Sequence, residues 1–405
     1  MRIAFILGKF PKISETFILN QITGLIDLGH EVEIFAFENP EEEVVHPDVE
    51  RYQLMRRVHY FSKPKSESKR IFKVMKLIIS NFHRKPAVII RSLKLWHGKR
   101  YLFYWLYPFL YRDFDIIHCH FGPNAKFGAY LKQIGVPGKL IAAFHGYDMS
   151  KLVLDKGKDV YVDLFSKGDL FMPISDYWKN RLMEMGCDKD KIIVHHMGIN
   201  PRRFEFLERK PNDGPVKILM VGRLTEKKGH QYAIKAIAKV LRFSKNIQYL
   251  IAGDGPLKDS LESLTTSLGV EDYVKFLGRV NDSELLKLYR EAHIFLLPSV
   301  TSRDGDKEGI PVVLMESMAT GLPVVSTKHS GIPELVSDGE SGFLVPEKDI
   351  DSLAEKIEYL IKNPELWPEM GREGRKIVEE YYDIDKLNRR LVDIYKSLSG
   401  YINSF

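Results

Sequence analysis

The feature that most constrains this chain is an alternation. Short runs rich in β-branched and aromatic residues recur along it, and most are separated by stretches with apolar residues at helical spacing. In the first half the runs are RIAFILG, EVEIFAF, DIIHCHF, LIAAFHG, LFMPIS and KIIVHHM; in the second they are KILMVGR, IQYLIAGDG, VKFLGRV, IFLLPSV, PVVSTKH and GFLVP. Strands this apolar are covered on both faces, and strands that alternate with helices build parallel sheets. At 405 residues the chain exceeds one ordinary core. The expected architecture is α/β, with two doubly wound parallel-sheet domains over residues 1–200 and 201–383. NPRRFEFLERKPNDGP is the expected linker, and a terminal helix over 384–405 is expected to pack back on the amino-terminal domain.

Open parallel sheets bind ligands beyond the carboxyl ends of their strands, where strand order reverses. The polar residues at those ends are Gly8, His120, His145, Gly222, Arg223, the Gly253-Asp254-Gly255 turn and the segment after Ser299. In VGRLTEKKGH a strand ends near Gly222, and Arg223 and Lys228 stand just before a helix. Free amides and fixed positive charge converge there, which suits a diphosphate; two solvated surface bases are the plainer reading. IAGDGP lacks the spacing of a dinucleotide fingerprint and reads as a tight turn.

EGIPVVLME places Glu308 in a loop and Glu316 about two turns into a helix whose first turn Pro311 suits. Carboxylates make charge-assisted hydrogen bonds to vicinal hydroxyls, so this pair could bracket a sugar nucleotide. An acid favoured by the helix dipole and an exposed helical acid would explain the same pattern without a ligand. His118 and His120 share one face of a strand, and His195 and His196 are adjacent. No carboxylate lies near them at ligand spacing, so no metal site is expected. Ser14, followed by Phe17 and Ile18, reads as a helix cap as readily as a ligand contact.

The bulk numbers narrow the classes. No apolar run reaches the roughly 18 residues of a membrane span, and MRIAFILGKF reads as a first strand rather than a leader. The two cysteines, Cys119 and Cys187, lack metal or redox spacing, which points to a cytoplasmic chain. The net charge of +6 is uneven: residues 51–112 hold sixteen Lys and Arg against one acid, Glu67. Apolar stretches interleave those bases, with Ile71, Val74, Met75, Ile78, Ile79 and Phe82 at helical spacing. Two amphipathic helices on a core, or a surface resting on anionic lipid, would both produce this pattern. No nucleic-acid module accompanies it, and no nucleic-acid partner is expected.

Taken in order, GRLTEKKG, GDGP, FLGRV, PSV, EGIPVVLMES, MATGLPVV, GIPELV and GFLVP resemble glycosyltransferase family 4, the retaining transferases of GT-B fold. FPKISETFILNQI, IHCHFG, AAFHGYD and SRDGDKEGIP are similar to its exopolysaccharide subgroup, which includes the colanic-acid and amylovoran transferases. The resemblance implies an amino-terminal acceptor domain and a carboxyl-terminal donor domain. It implies that Arg223 and Lys228 bind the donor diphosphate, Glu316 the ribose, and Glu308, with Gly309 and Ile310, the donor sugar. Arg279 and Val280 would lie near the base, and His145 near the reacting carbon. Gly8, Ser14, Glu15, His120 and Asp148 are the expected acceptor contacts. The family's usual Gly-Gly loop is absent: Lys9-Phe10-Pro11 follows Gly8.

The implied activity needs no bound cofactor or metal. A nucleoside-diphosphate sugar is the co-substrate, UDP-linked in preference to GDP-linked. The implied acceptor is a saccharide, on a lipid carrier at the inner face of the plasma membrane. The competing readings are a sugar-nucleotide epimerase on the same fold and a non-catalytic nucleotide-sugar-binding protein.

Overall fold

A computed structural model describes residues 1–12, 15–41, 45–61, 75–76, 78–95, 102–211 and 213–400. Ser14 and part of the basic stretch, residues 62–74, 77 and 96–101, including Ile71 and Val74, lie outside the described residues.

The first sheet holds β1 (Arg2–Lys9), β2 (Glu31–Glu38), β3 (Val58–Tyr60), β4 (Ile116–His120), β5 (Lys139–Phe144) and β6 (Leu170–Pro173) in the order β3-β2-β1-β4-β5-β6. The second holds β7 (Val216–Val221), β8 (Ile247–Ala252), β9 (Val274–Gly278), β10 (Ile294–Leu297), β11 (Val324–Thr327) and β12 (Gly342–Val345) in the order β12-β11-β10-β7-β8-β9. All pairings between these strands are parallel, as the doubly wound expectation requires. The continuous apolar runs follow from cover on both faces: Ile3 through Leu7 are all buried, odd residues in one cluster and Ala4 and Ile6 in another. In both sheets the order reverses beside the first strand, between β1 and β4 and between β7 and β10.

One expectation is corrected. KIIVHHM is not a regular strand: Ile192 makes an isolated bridge to Phe171, and the amides of Ile193 and His195 donate to Phe171 and Pro173 along the edge of β6. The expected linker segment packs on the second half. Phe204 lies in the second core, and the buried Arg209 guanidinium donates to the carbonyls of Arg290, Ala292 and Thr320. A guanidinium that satisfies three carbonyls staples this segment to the second half.

The terminal helix Ile384–Ser399 crosses back to the first half, where Leu391, Val392 and Tyr395 complete the core under β1. It packs on the helix Thr16–Asp27 so closely that a Cβ on Gly24 would stand 2.0 Å from the Asn388 amide nitrogen.

Candidate active site

The second half supplies a charged floor. Gly229, at φ +76°, ends the turn Glu226–Lys228 and opens the helix His230–Val240. A Cβ there would stand 1.8 Å from the Pro298 carbonyl, so only glycine lets this helix start beside the end of β10. Lys228 is thereby fixed at the strand reversal, and its Nζ donates to Glu308 Oε2 at 3.2 Å. Lys227 approaches the other carboxylate oxygen at 3.6 Å and Asp306 at 3.0 Å. Burial alone would push the Glu308 carboxyl up, but Lys228 and Lys227 outweigh it and hold it at about 2. Arg223 is exposed at the end of β7, and no carboxylate pairs with it among the described residues.

Glu316 sits in the helix Val312–Ala319, with Pro311 as its flanking cap residue rather than in its first turn. Tyr289, fully buried, donates its hydroxyl to Glu316 Oε2 at 2.8 Å. Loss of solvation raises the Glu316 pKa, and the tyrosine hydrogen bond opposes that shift. Arg279 is exposed and reaches Asp254 at 3.4 Å, while Val280 packs on the second core. Ile310 is buried in that core.

The first half meets this floor through the loop after β5. A Cβ on Gly309 would stand 2.5 Å from the His145 carbonyl oxygen and 2.3 Å from Ile174 Cδ1, so Gly309 admits His145 from across the seam. His145 Nε2 lies 2.9 Å from His120 Nδ1, and His120 Nε2 lies 2.8 Å from Gln21 Oε1. Gln21 Oε1 accepts, so the chain sets both tautomers and leaves His145 Nδ1 as an acceptor, buried and without a partner among the described residues. The rings of Phe17 and Phe121 lie 4.9 and 4.6 Å from the His145 ring. Burial depresses His145 to about 3, so the imidazole is neutral.

Of the expected acceptor contacts, His120 and Asp148 both bond to His145, and Gly8 lies beside Asn124, which donates to the His120 carbonyl. Gly8 lies near the end of β1. Glu15 flanks the helix Thr16–Asp27 and pairs with Lys12 at 2.5 Å. His120 lies inside the histidine chain. Asp148 is fully buried, and its carboxylate accepts the amides of Gly122, His145 and Gly146 at 2.9, 3.0 and 3.0 Å. It shapes the His145 loop.

Sequence reasoning missed the contacts that join the halves. Glu334 accepts the first amides of the helix Asp176–Glu184, from Asp176 at 2.9 Å and Tyr177 at 3.0 Å. Lys151 meets Asp304 at 2.6 Å, and Lys307 donates to the Tyr177 hydroxyl at 2.6 Å. Beside them opens a cleft of about 510 Å³, lined by Ser150, Tyr177, Arg181, Thr301 and Lys307 among others. Asp304 and Lys307 lie in SRDGDKEGIP and Glu334 in GIPELV, but nothing in those motifs names a partner in the other half.

Comparison with known proteins agrees with this geometry. Residues 14–203 match Glycosyltransferase Family 4, and residues 202–377 match Glycosyl transferases group 1. The chain is 38% identical to the putative colanic acid biosynthesis glycosyltransferase WcaL of Escherichia coli, over 98% of this chain and 100% of the relative. It is 39% identical to the amylovoran biosynthesis glycosyltransferase AmsK of Erwinia amylovora, over 87% of this chain and 89% of the relative. The structure of HepE from Anabaena in complex with UDP superposes with a TM-score of 0.74 at 18% identity, covering 98% of this chain and 100% of that one. With matches spanning both halves and full-length relatives, this chain belongs to the glycosyltransferases of family 4 and group 1 and has their GT-B fold.

Proposed function

We propose that the chain moves a sugar from a nucleoside-diphosphate sugar to a hydroxyl of a saccharide acceptor, with retained anomeric configuration, in exopolysaccharide or cell-surface polysaccharide synthesis. The observation that carries this reading is the meeting of Lys228 and Glu308 at 3.2 Å beside the Gly309–His145 seam. An anion-neutralising base, a hydroxyl-binding acid and a neutral histidine from the opposite half share one place. The polysaccharide context rests on the names of WcaL and AmsK. A UDP-sugar is the favoured donor, in keeping with the UDP held by HepE, and a GDP-sugar is the alternative.

In this reading residues 201–383 hold the donor. Arg223, Lys228 and the first amides of the helix His230–Val240 stabilise the charge that develops on the departing diphosphate. Glu316, oriented by Tyr289, takes the ribose hydroxyls, with the base near Arg279 and Val280. Glu308 takes sugar hydroxyls once Lys228 turns to the diphosphate, while Lys227 keeps its charge compensated. His145 Nδ1 accepts a hydrogen bond from the sugar. Residues 1–200 and the cleft beside Lys307 receive the acceptor, and the helix within 384–405 ties the two halves together.

The acceptor is proposed to be lipid-linked, with the enzyme cytoplasmic and resting on the membrane's inner face. Among the described residues of 51–112, Met75, Ile79, Phe82 and Ile90 are exposed beside Lys76, Arg84, Arg91 and Lys94, which suits an anionic lipid surface better than a buried core face. No described helix is long and apolar enough to cross a membrane.

Consumption of UDP- and GDP-hexoses by Glu308→Ala and Arg223→Ala tests the assignment. Each is expected to lose about two orders of magnitude in turnover. Unchanged rates in both would remove it, and a nucleotide-sugar product formed without any acceptor would favour the epimerase.

A further inference from the structure

We propose that His329 and Ser330, braced by Glu347, are positioning residues that grip both polar groups of the Glu308 backbone and thereby aim its carboxylate at the donor sugar. The inference rests on the donor-binding reading of Glu308.

The Glu308 amide donates to His329 Nε2 at 3.1 Å. A backbone N–H can only donate, so Nε2 must carry the lone pair and Nδ1 the proton. That proton goes to Glu347 Oε1 at 2.6 Å. The other Glu347 oxygen accepts the Thr301 amide at 2.7 Å. On the far side of the same residue, the Glu308 carbonyl accepts from the Ser330 hydroxyl at 2.7 Å. Neighbouring residues of one segment thus hold the N–H and the C=O of a third.

Three features mark this as a built clamp rather than a chance loop contact. His329 is fully buried, so its one lone pair has no competing solvent. Ser330 holds φ +51°, a left-handed conformation that a non-glycine residue adopts only when its surroundings impose it. The gripping residues also come from separate strand ends: Thr301 after β10, His329 and Ser330 after β11, Glu347 after β12. A carboxylate on an isolated loop would drift, whereas one whose peptide groups are tied to three strands keeps its direction when Lys228 leaves it. None of the motifs singled out in the sequence contains His329, Ser330 or Glu347 in such a role.

The test uses the full chain. His329→Leu is expected to lower kcat for nucleotide-sugar consumption by about tenfold to a hundredfold, because a displacement near 1 Å at a reacting group costs that much. Affinity for UDP or GDP alone, measured calorimetrically, should change by less than about threefold, since the diphosphate and ribose contacts lie elsewhere. His329→Gln places an acceptor oxygen near the lost Nε2 and should restore most of the rate. Should His329→Leu not fold, Ser330→Ala removes the other grip by deleting a single hydroxyl and is expected to lower kcat by about threefold to tenfold.

Nitrogen-15 spectra of histidine-labelled protein read the clamp without any donor. His329 should show an unprotonated Nε2 and a protonated Nδ1, and the reverse tautomer would overturn the proposal. Unchanged kcat in both His329→Leu and Ser330→Ala, alongside loss in Glu308→Gln, would also overturn it while leaving the donor reading intact. If Glu308→Gln itself keeps full turnover, the donor reading falls, and the clamp as an aiming device falls with it.

Discussion

Gly309 and His145 meet across the seam of the two halves at a distance that leaves no room for a side chain: a Cβ on the glycine would stand 2.5 Å from the histidine carbonyl oxygen. The His145 backbone cannot yield cheaply, even where Ile174 Cδ1 can swing aside. Gly309→Ala is therefore expected to cost about 1–3 kcal/mol, as overpacking does, and to lower sugar-nucleotide turnover by parting His145 from Glu308. Thermal denaturation and a turnover assay check it. Wild-type values in both would mean that the seam opens without consequence.

Lys227 and Lys228 share Glu308, but only Lys228 is assigned to the diphosphate. Lys228→Met should weaken UDP or GDP binding by about ten- to a hundredfold, the worth of one charge-assisted hydrogen bond. Lys227→Met should leave that affinity nearly intact and lower kcat instead, because Glu308 then loses its remaining countercharge. Calorimetry with the nucleoside diphosphate, paired with steady-state kinetics, separates the two. Identical profiles for both variants would contradict the division of labour.

Acid should destabilise the fold in a window set by the buried histidines. Burial is the main cause that depresses His118, His145 and His195 to about 3, and it drives His120 well down too. Unfolded, each binds a proton near pH 6.5. The unfolded state therefore holds more protons below that value, and stability present above it is lost as pH falls toward the folded pKa. The slope approaches about 1.4 kcal/mol per pH unit for each group. Glu308, held at about 2, adds a separate loss that sets in as pH falls through the ordinary carboxyl range and grows toward its folded value. Denaturant titrations at a series of pH values would show the fall starting near pH 6.5. A flat response down to about pH 5 would contradict the neutral histidine cluster.

Glu334 caps the helix Asp176–Glu184 from the opposite half, through bonds of 2.9 and 3.0 Å to its first amides. Glu334→Ala should cost about 0.5–2 kcal/mol, the usual loss of a cap. Because this cap also ties the halves together, the variant should show a larger radius of gyration in solution scattering and a raised donor KM. A stability loss with neither change would make the contact a cap alone.

Anionic vesicles should sediment the protein at low salt and release it as salt rises, because exposed charges are screened beyond about 10 Å at 0.1 M ionic strength. Neutral vesicles serve as the control. Failure to sediment at any salt removes the membrane part of the proposal.

Much of the fold was legible because period and composition are local. Among the described residues, eleven of the twelve strands fall, to within one residue, in runs picked out by their apolar, β-branched character. The short β3 escaped because three residues, Val58–Tyr60, carry no period. KIIVHHM misled because an edge segment needs only a few bonds to β6 to look strand-like. The two halves share no residue-level repeat, yet their sheets have the same order.

The site divides along the same line. Spacing alone placed Glu308 before a helix and Glu316 inside it, and Arg223 and Lys228 before another, because a turn and a helix start are written in neighbouring residues. Asp148 had the same polar promise in sequence, but burial turned it toward three backbone amides. The Gly309–His145 contact, the Gln21–His120–His145 chain and the His329–Glu347 brace join residues far apart along the chain. Whether such groups meet depends on strand order and on how one half docks against the other. Those distances exist only once the chain has closed on itself, and no local pattern encodes them.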